Sequence, residues 1–258
     1  MTVLHRTVLE DEYFRSIISE KLWEITLLQD SVSYIELEYS AYLDDYVKYN
    51  TENIYAKLDL DVIGNLPSGT IHRAVVHVKE FSTAGLIGGS ILHIEGTFDQ
   101  YVGIGAMENS HCSGGVFNNG LELMVCEGSR VTDFESYGSF TLSMDGNSHC
   151  VGKASNTADD DNFYISIGAN SSFVNLVESH PSQLELEVAN NSLVNMSLTS
   201  PTGEITMQID DNSEVTIDLR QTDRVDISLK NSSTLYYYAT PSQHFDFDCD
   251  ESSQTIRL

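Results

Sequence analysis

The sequence predicts an all-β fold, a right-handed parallel β-helix (a β-solenoid) with about nine coils of roughly 20 residues each. Three observations predict it. A Gly-Ser or Asn-Ser dipeptide recurs at nearly constant steps, apolar and polar residues alternate between its occurrences, and long helical patterns are absent. Tyr, Phe, Thr, Val and Ile are plentiful while the chain has 4 prolines, a composition that favours β structure.

The recurring dipeptide marks one corner of each coil. Its occurrences are Gly89-Ser90, Asn109-Ser110, Gly128-Ser129, Asn147-Ser148, Asn170-Ser171, Asn191-Ser192, Asn212-Ser213 and Asn231-Ser232, with Glu251-Ser252 as a degenerate last case. The serine-to-serine steps lie between 19 and 23 residues. Gly and Asn tolerate a left-handed backbone, so the dipeptide is typical of a tight bend. We expect these corner residues to form a ladder, with the asparagine side chains of neighbouring coils stacked on one another.

Alternating residues flank each corner, as strands with one buried face require. Leu121, Leu123 and Val125 precede one corner, and the residue two positions after a corner serine is apolar in coil after coil. Two short strands cannot bury this apolar face alone. Stacked coils bury it, because each strand then pairs in parallel with its equivalents ~4.8 Å above and below.

The corner dipeptide divides the chain into two regions. We expect an N-terminal β section (residues 1–70) that packs on or caps the solenoid, and the solenoid itself (residues 71–258). Upstream of residue 70 the dipeptide is absent, although residues 22–27 and 33–39 still alternate apolar with polar. The longest step contains residues 156–162, which we expect to loop out of the coil, and insertions in solenoids often collect on a binding face.

The charge excludes some partners. With 13 Lys and Arg against 39 Asp and Glu, the net charge of −26 argues against nucleic acid, since neutralising phosphates needs a basic surface. No run of 18 or more apolar residues is present, so we expect no membrane span. Residues 1–13 are too polar for a signal peptide, which leaves either a cytoplasmic protein or a mature chain whose export signal has been removed.

The four cysteines have no metal-ligand spacing. Cys112, Cys126, Cys150 and Cys249 contain no CxxC pair. Cys112 and Cys150 fall in one inward column two coils apart, beyond the reach of a disulfide. We expect four free thiols and no metal site built on them.

Three residues form a candidate ligand-binding ridge. His111, Arg130 and His149 each follow a corner serine on successive coils and are predicted to point outward. On so acidic a molecule, such a basic ridge suits an anion, such as the carboxylate or sulfate of a glycan. The alternative is an ordinary solvated face.

The insertion holds a weak calcium candidate. Asp159, Asp160 and Asp161, followed by Asn162, offer the oxygen ligands that calcium accepts in irregular cages. The alternative is a solvated acidic loop. Because this run lacks the glycine-spaced pattern of dedicated calcium loops, we predict no metal and no cofactor.

The order and spacing of these residues resemble a known family, DUF2807, which is common in Bacteroidetes. Its label is "putative auto-transporter adhesin, head GIN domain". Residues 12–17 and 23–29 are similar to its opening strands, and residues 74–78 through 88–92 resemble its first coil. Residues 235–241 are similar to its closing element, in which the family's glycine is replaced here. The resemblance implies a periplasmic or cell-surface location, and it brings no catalytic residues.

Two function classes follow. The first is a non-enzymatic, exported, adhesin-like module of the bacterial envelope, with glycans, surface proteins or a second copy of the chain as partners. The alternative is a carbohydrate-active β-helix protein, either a polysaccharide lyase or hydrolase or a glycan-binding protein. Such enzymes need paired carboxylates, or a base beside calcium, and the sequence singles out no such pair and hence no catalytic residue. A smooth exterior favours the module, whereas a cleft with two carboxylates favours the enzyme.

Overall fold

In the computed structural model, short strands account for nearly all of the regular structure. The described residues are 2–10, 12–62, 65–156, 161–179, 181–198, 204–220, 222, 224–240 and 245–258. The strands are β1 (Val3–Val8), β2 (Ser16–Glu20), β3 (Glu24–Gln29), β4 (Tyr34–Ser40), β5 (Val47–Glu52), β6 (Tyr55–Leu60), β7 (His72–Val78), β8 (Thr83–Ile87), β9 (Ile91–Phe98), β10 (Val102–Ala106), β11 (His111–Phe117), β12 (Leu121–Val125), β13 (Arg130–Tyr137), β14 (Phe140–Met144), β15 (His149–Ser155), β16 (Asn162–Ile167), β17 (Ser172–Ser179), β18 (Gln183–Val188), β19 (Leu193–Leu198), β20 (Glu204–Ile209), β21 (Glu214–Asp218), β22 (Val225–Leu229), β23 (Thr234–Tyr238), β24 (Asp246–Cys249) and β25 (Gln254–Arg257). A 3-10 turn, Ala41–Leu43, lies between β4 and β5.

The strands form two long sheets that run the length of a solenoid. Sheet A has the order β1-β4-β7-β3-β9-β11-β13-β15-β17-β19-β21-β23-β25, and sheet B the order β24-β22-β20-β18-β16-β14-β12-β10-β8-β2-β6-β5. From β8 onward each coil contributes one strand to sheet B and the next strand to sheet A, and neighbouring coils pair in parallel. The predicted all-β, parallel solenoid fold is therefore confirmed.

One end of the solenoid departs from the regular stacking. The pairs β1–β4, β4–β7 and β5–β6 are antiparallel. The coil formed by β2 and β3 is inserted into the stack, since β2 lies between β6 and β8 while β3 lies between β7 and β9. The division of the chain at residue 70 stays a prediction, but part of the N-terminal section lies within the stack rather than at its end.

The corners that precede β3 and the sheet A strands from β9 to β23 each consist of two consecutive residues with a left-handed backbone, whereas the last corner, before β25, has none. Glu108 and Asn109, for example, have φ of 55° and 62°. The N–H of Asn109 donates to the carbonyl of Glu127 in the next coil (2.9 Å), and the N–H of Ser110 donates to the hydroxyl of Ser129 (3.1 Å). The bend therefore leaves both of these backbone donors paired across coils.

From Ser148 to Ser213 the corner serines form a hydrogen-bonded column across four coils. The Ser148 N–H donates to the Ser171 hydroxyl (3.1 Å), the Ser171 N–H to that of Ser192 (3.3 Å), and the Ser192 N–H to that of Ser213 (3.2 Å). The Ser148 hydroxyl in turn donates to the Asp145 carbonyl (2.6 Å). Serine fits this position because it is small enough to be buried there and can both donate and accept. The stacking of asparagine side chains stays a prediction.

The predicted corner Asn231-Ser232 is off by one residue. Strand β23 pairs with β21 so that Thr234 lies opposite Glu214, which makes Ser233 the buried corner serine. Ser232 is exposed and has a φ of 66°, so it takes the place of the corner asparagine. The last corner shifts with it. Two consecutive serines follow Asn231, and strand pairing decides which of them is the buried corner serine.

The inserted coil has a corner that the dipeptide search missed. Lys21 and Leu22 have φ of 60° and 64°, although neither is Gly or Asn. Because Glu24 pairs with Ile91, Trp23 occupies the place of a corner serine, and the N–H of Ile91 donates to its carbonyl (2.7 Å). Trp23 is fully buried. A bulky apolar residue thus replaces the serine hydroxyl at this one corner.

The inward columns make one apolar core in which aromatic rings stack between coils. Phe98 and Phe117 have ring centroids 6.0 Å apart, and Phe140 lies 5.6 Å from Phe163 and 5.9 Å from Phe173. All five side chains are buried. Such pairs add to the apolar burial that holds consecutive coils together.

Two cysteines belong to this core. Cys112 and Cys150 are buried free thiols separated in their column by Val131. Burial raises the pKa of Cys112 to about 12 and also raises that of Cys150. Neither is a nucleophile at neutral pH. Cys126 is partly buried and Cys249 exposed, both as free thiols.

Candidate functional site

Strand pairing brings the three residues of the predicted ridge into direct contact range. His111, Arg130 and His149 begin β11, β13 and β15, and Arg130 is the register partner of both histidines. Their row crosses the outer face of sheet A in the order His5, Glu38, Arg73, Glu24, Ile91, His111, Arg130, His149. Adjacent members lie on strands about 4.8 Å apart.

Hydroxyl groups hold the two histidines of the ridge. Nε2 of His111 lies 3.1 Å from the hydroxyl of Thr132, and Nδ1 of His149 lies 2.6 Å from that of Ser172. Partial burial and the neighbouring charge of Arg130 lower the pKa of His149 below the ordinary value of a histidine. At pH 7 His149 is therefore predominantly neutral, and it gains charge as the pH falls.

Arg130 is an exposed cation, and none of the described carboxylates pairs with it. No acidic group among the residues that the structure describes lies within 4.0 Å of its guanidinium, whereas Arg73 and Arg224 each have two, the nearer one at 3.1 Å. Lys21, Lys79 and Lys230 are also exposed without a carboxylate neighbour among the described residues, so the distinctive feature of Arg130 is its position between two in-register histidines. Its planar group of donors suits a carboxylate or sulfate.

The outer face of sheet B differs sharply. Its equivalent row contains Thr83, Gly103, Glu122, Thr141, Tyr164, Glu185, Thr206, Asp226 and Asp246, with no histidine, lysine or arginine. Both faces belong to the same coils and share the same axial spacing. The cationic row is thus a property of sheet A and is not required by the fold.

A trough lies beside the ridge on the same face. It has a volume of about 620 Å³ and spans five neighbouring strands of sheet A, β1, β4, β7, β3 and β9. Its lining includes Glu24, Glu38 and Arg73, together with His5 and His93. Sequence reasoning missed the trough, because its strands come from distant parts of the chain.

The weak calcium candidate falls largely outside the described residues. Asp159 and Asp160 are not described, whereas Asp161 precedes β16 and its carbonyl accepts the N–H of Ser182 (2.9 Å). Within the described ranges, no group of three His, Cys, Asp or Glu side chains could hold a metal ion. The calcium assignment of this loop stays a prediction.

No known protein-family model matches the sequence, and no curated protein is similar enough to count as a relative. The fold, in contrast, matches solved structures over the whole chain. A protein named a putative adhesin from Parabacteroides distasonis has a TM-score of 0.71 at 12% identity, covering 100% of this chain and 97% of that one. The chain is thus similar in fold to a protein of that name.

Two further solved structures share the fold. A putative adhesin from Parabacteroides merdae has a TM-score of 0.62 at 12% identity, covering 99% of this chain and 96% of that one. A putative lipid binding protein from Parabacteroides distasonis has a TM-score of 0.61 at 14% identity with the same coverage, 99% and 96%. Identities this low show a shared fold and leave the function open.

The described part of the chain has no helix with the length and apolar character needed to span a bilayer.

Proposed function

We propose that this chain is a non-enzymatic, exported β-solenoid module of the bacterial envelope, of the DUF2807 type, which adheres to an acidic glycan through His111, Arg130 and His149. The names of three solved structures with the same fold support the adhesive role, since two are called putative adhesins and none is called an enzyme. The family resemblance of the sequence supports export to the periplasm or cell surface.

The unpaired guanidinium of Arg130 is the observation that carries this proposal. It is flanked on both sides by histidines held by hydroxyl groups, without a carboxylate partner in the described residues. A surface cation without a partner is available to an external anion at little desolvation cost. Three basic groups repeated at the strand spacing suit a linear chain that carries repeated carboxylates or sulfates.

A glycan fits better than the other polyanions. Nucleic acid binding relies on long-range attraction to many phosphates, and a net charge of −26 opposes it. A short chain bound at one local ridge depends on contacts at close range instead, because repulsion from the rest of the surface is screened beyond about 8 Å at physiological salt.

Binding should strengthen as the pH falls. A bound anion favours the protonated form of His149, whose pKa is lowered before binding by burial and by Arg130. Its contribution therefore appears below the ordinary histidine pKa of about 6.5 and is absent well above it. We expect tighter binding at pH 5.5 than at pH 7.5.

The test is surface plasmon resonance with immobilised dextran sulfate and polygalacturonate as probes. We expect Arg130→Gln to weaken binding by about tenfold or more, the value of losing one charge-assisted hydrogen bond. Arg224→Gln is the matched control, because Arg224 is also exposed but already paired with Asp226.

Two results would contradict the proposal. One is an equal effect of Arg130→Gln and Arg224→Gln, which would show a non-specific response to charge. The other is binding to vesicles of phosphatidylglycerol with no binding to either polysaccharide, which would make the anion a lipid headgroup.

A further inference from the structure

The trough beside the ridge exists because sheet A is irregular there. Its strands include the antiparallel pair β1–β4 and the inserted strand β3, so segments far apart in the sequence meet in one concave surface. A volume of about 620 Å³ lies within the range of pockets that hold small ligands, roughly 300 to 1,000 Å³.

The charges that line the trough compensate one another. Nε of Arg73 lies 3.1 Å from a carboxylate oxygen of Glu24, and Nη1 lies 4.0 Å from one of Glu38. The lining contains two arginines and three glutamates, a formal charge of −1 with both histidines neutral. An anion would meet three carboxylates, and a cation would meet Arg6 and Arg73. A ligand of either sign is therefore disfavoured.

The trough nevertheless offers many hydrogen-bonding groups beside apolar ones. Carboxylates accept from hydroxyl groups, Arg73 donates, and Thr26 does both. Val75 and Ile91 also line the trough, and 44% of Ile91 is exposed. Alternating polar and apolar contacts at near-neutral charge match the surface of a sugar ring, which has hydroxyl edges and apolar C–H faces.

We infer that this trough is a second binding site, for a neutral saccharide, separate from the anion-binding ridge. It does not depend on the proposed function, because it needs none of the three ridge residues. Its position one strand away from His111 places the two sites side by side on the outer face of sheet A.

The test is a glycan array of neutral hexasaccharides of the gluco, galacto and manno series, with sulfated and amine-bearing glycans as comparison. Val75→Tyr fills the trough, and Val174→Tyr adds the same group in the same row on β17, outside the trough and the ridge. We expect the wild type to retain at least one neutral glycan, and Val75→Tyr to reduce that signal about tenfold or more while Val174→Tyr leaves it unchanged.

Failure of this inference is distinguishable from failure of the proposed function. Arg130→Gln should leave neutral glycan binding intact while it weakens binding of the sulfated probes. Three results would overturn the inference. They are retention of no neutral glycan, retention of amine-bearing glycans alone, and equal signals from the two tyrosine variants. If Val75→Tyr does not fold, Arg73→Gln serves instead, because an exposed ion pair contributes little to stability and its loss should still weaken neutral glycan binding several-fold.

Discussion

The inserted coil β2–β3 and the coils from β8 onward build the same corner from different residues. In most later coils the residue before the buried serine is a left-handed Gly or Asn, although the left-handed residue before that one varies, as Glu108, Ala169 and Asp211 show. The hydroxyl of the buried serine accepts the N–H of the corner serine in the preceding coil. In the inserted coil, Lys21 and Leu22 take that conformation and Trp23 replaces the serine. The corner is therefore a requirement of the backbone, which suitable residues favour but do not create.

The comparison also shows where such replacement is tolerated. The inserted coil is held on both sides by parallel pairs, β2 by β6 and β8 and β3 by β7 and β9. Strand pairing and the burial of Trp23 can offset an unfavourable backbone of roughly 1 kcal/mol or more per residue. The later coils rely on their corner residues, and four changes test this difference.

The largest expected effect is that of Trp23→Ser, which gives the inserted coil the residue of a regular corner. We expect it to destabilise the protein by about 3–5 kcal/mol, because a fully buried tryptophan leaves a cavity that a serine cannot fill. Urea unfolding followed by circular dichroism measures the loss. The control is Tyr13→Ser, at a residue that is 60% exposed. Equal stability of Trp23→Ser and the wild type would show that Trp23 does not stabilise the inserted coil.

Removing one hydroxyl of the serine column should have a smaller effect. Ser171→Ala leaves the N–H of Ser148 without its partner in the next coil, and we expect a loss of about 1–2 kcal/mol. Ser166→Ala is the control, since Ser166 is exposed on the neighbouring strand β16. The same unfolding measurement applies, and indistinguishable variants would show that the column does not stabilise the coils.

A corner residue placed in the inserted coil should stabilise it. Lys21→Asn puts a residue that tolerates positive φ at an exposed position where φ is 60°, and we expect a gain of about 0.5–1 kcal/mol. Lys79→Asn removes the same charge at an exposed position outside the corners. A thermal shift upward for Lys21→Asn alone supports the interpretation. A lower melting temperature for Lys21→Asn would mean that the lysine side chain makes a contact whose stabilising free energy exceeds the cost of its left-handed backbone.

The smallest expected effect is the loss of a hydrogen bond at the last corner when Asp250 is protonated. A carboxylate oxygen of Asp250 accepts the N–H of Ser253 (2.8 Å), the bond that the serine of a following coil makes elsewhere. Backbone hydrogen bonds, that of Asn231 first, lower the pKa of Asp250 to about 2. The contribution of this carboxylate to the stability of the last corner is thus fully present above the unfolded pKa of about 3.9. It is lost as the pH falls through about 2.

Hydrogen exchange measured by NMR tests this sign. We expect the protection factor of the Ser253 amide to fall between about pH 4 and pH 2, while that of Ser192, bonded to the Ser213 hydroxyl, stays constant. Asp250→Asn should remove the pH dependence at Ser253. Parallel loss of protection at both amides would indicate general acid unfolding instead.

Patterns local to each coil are enough to predict the parallel solenoid and the alignment of the ridge. Corner dipeptides at steps of 19 to 23 residues require stacked coils, and a fixed offset from each corner places His111, Arg130 and His149 side by side. Both predictions depend on local patterns, because a left-handed corner and a strand with alternating residues are each specified within one coil.

The strand order at the irregular end, the position of the eighth corner and the trough depend on contacts between distant segments. Strands β2 and β3 pair with strands that follow them by dozens of residues in the sequence. Strand pairing makes Ser233 the serine of the eighth corner, and five strands together line the trough. An alternating strand looks the same whichever neighbours it pairs with, so its sequence carries no record of the order in which strands stack. Pairing partners are chosen by the burial of the whole core, which no single segment encodes.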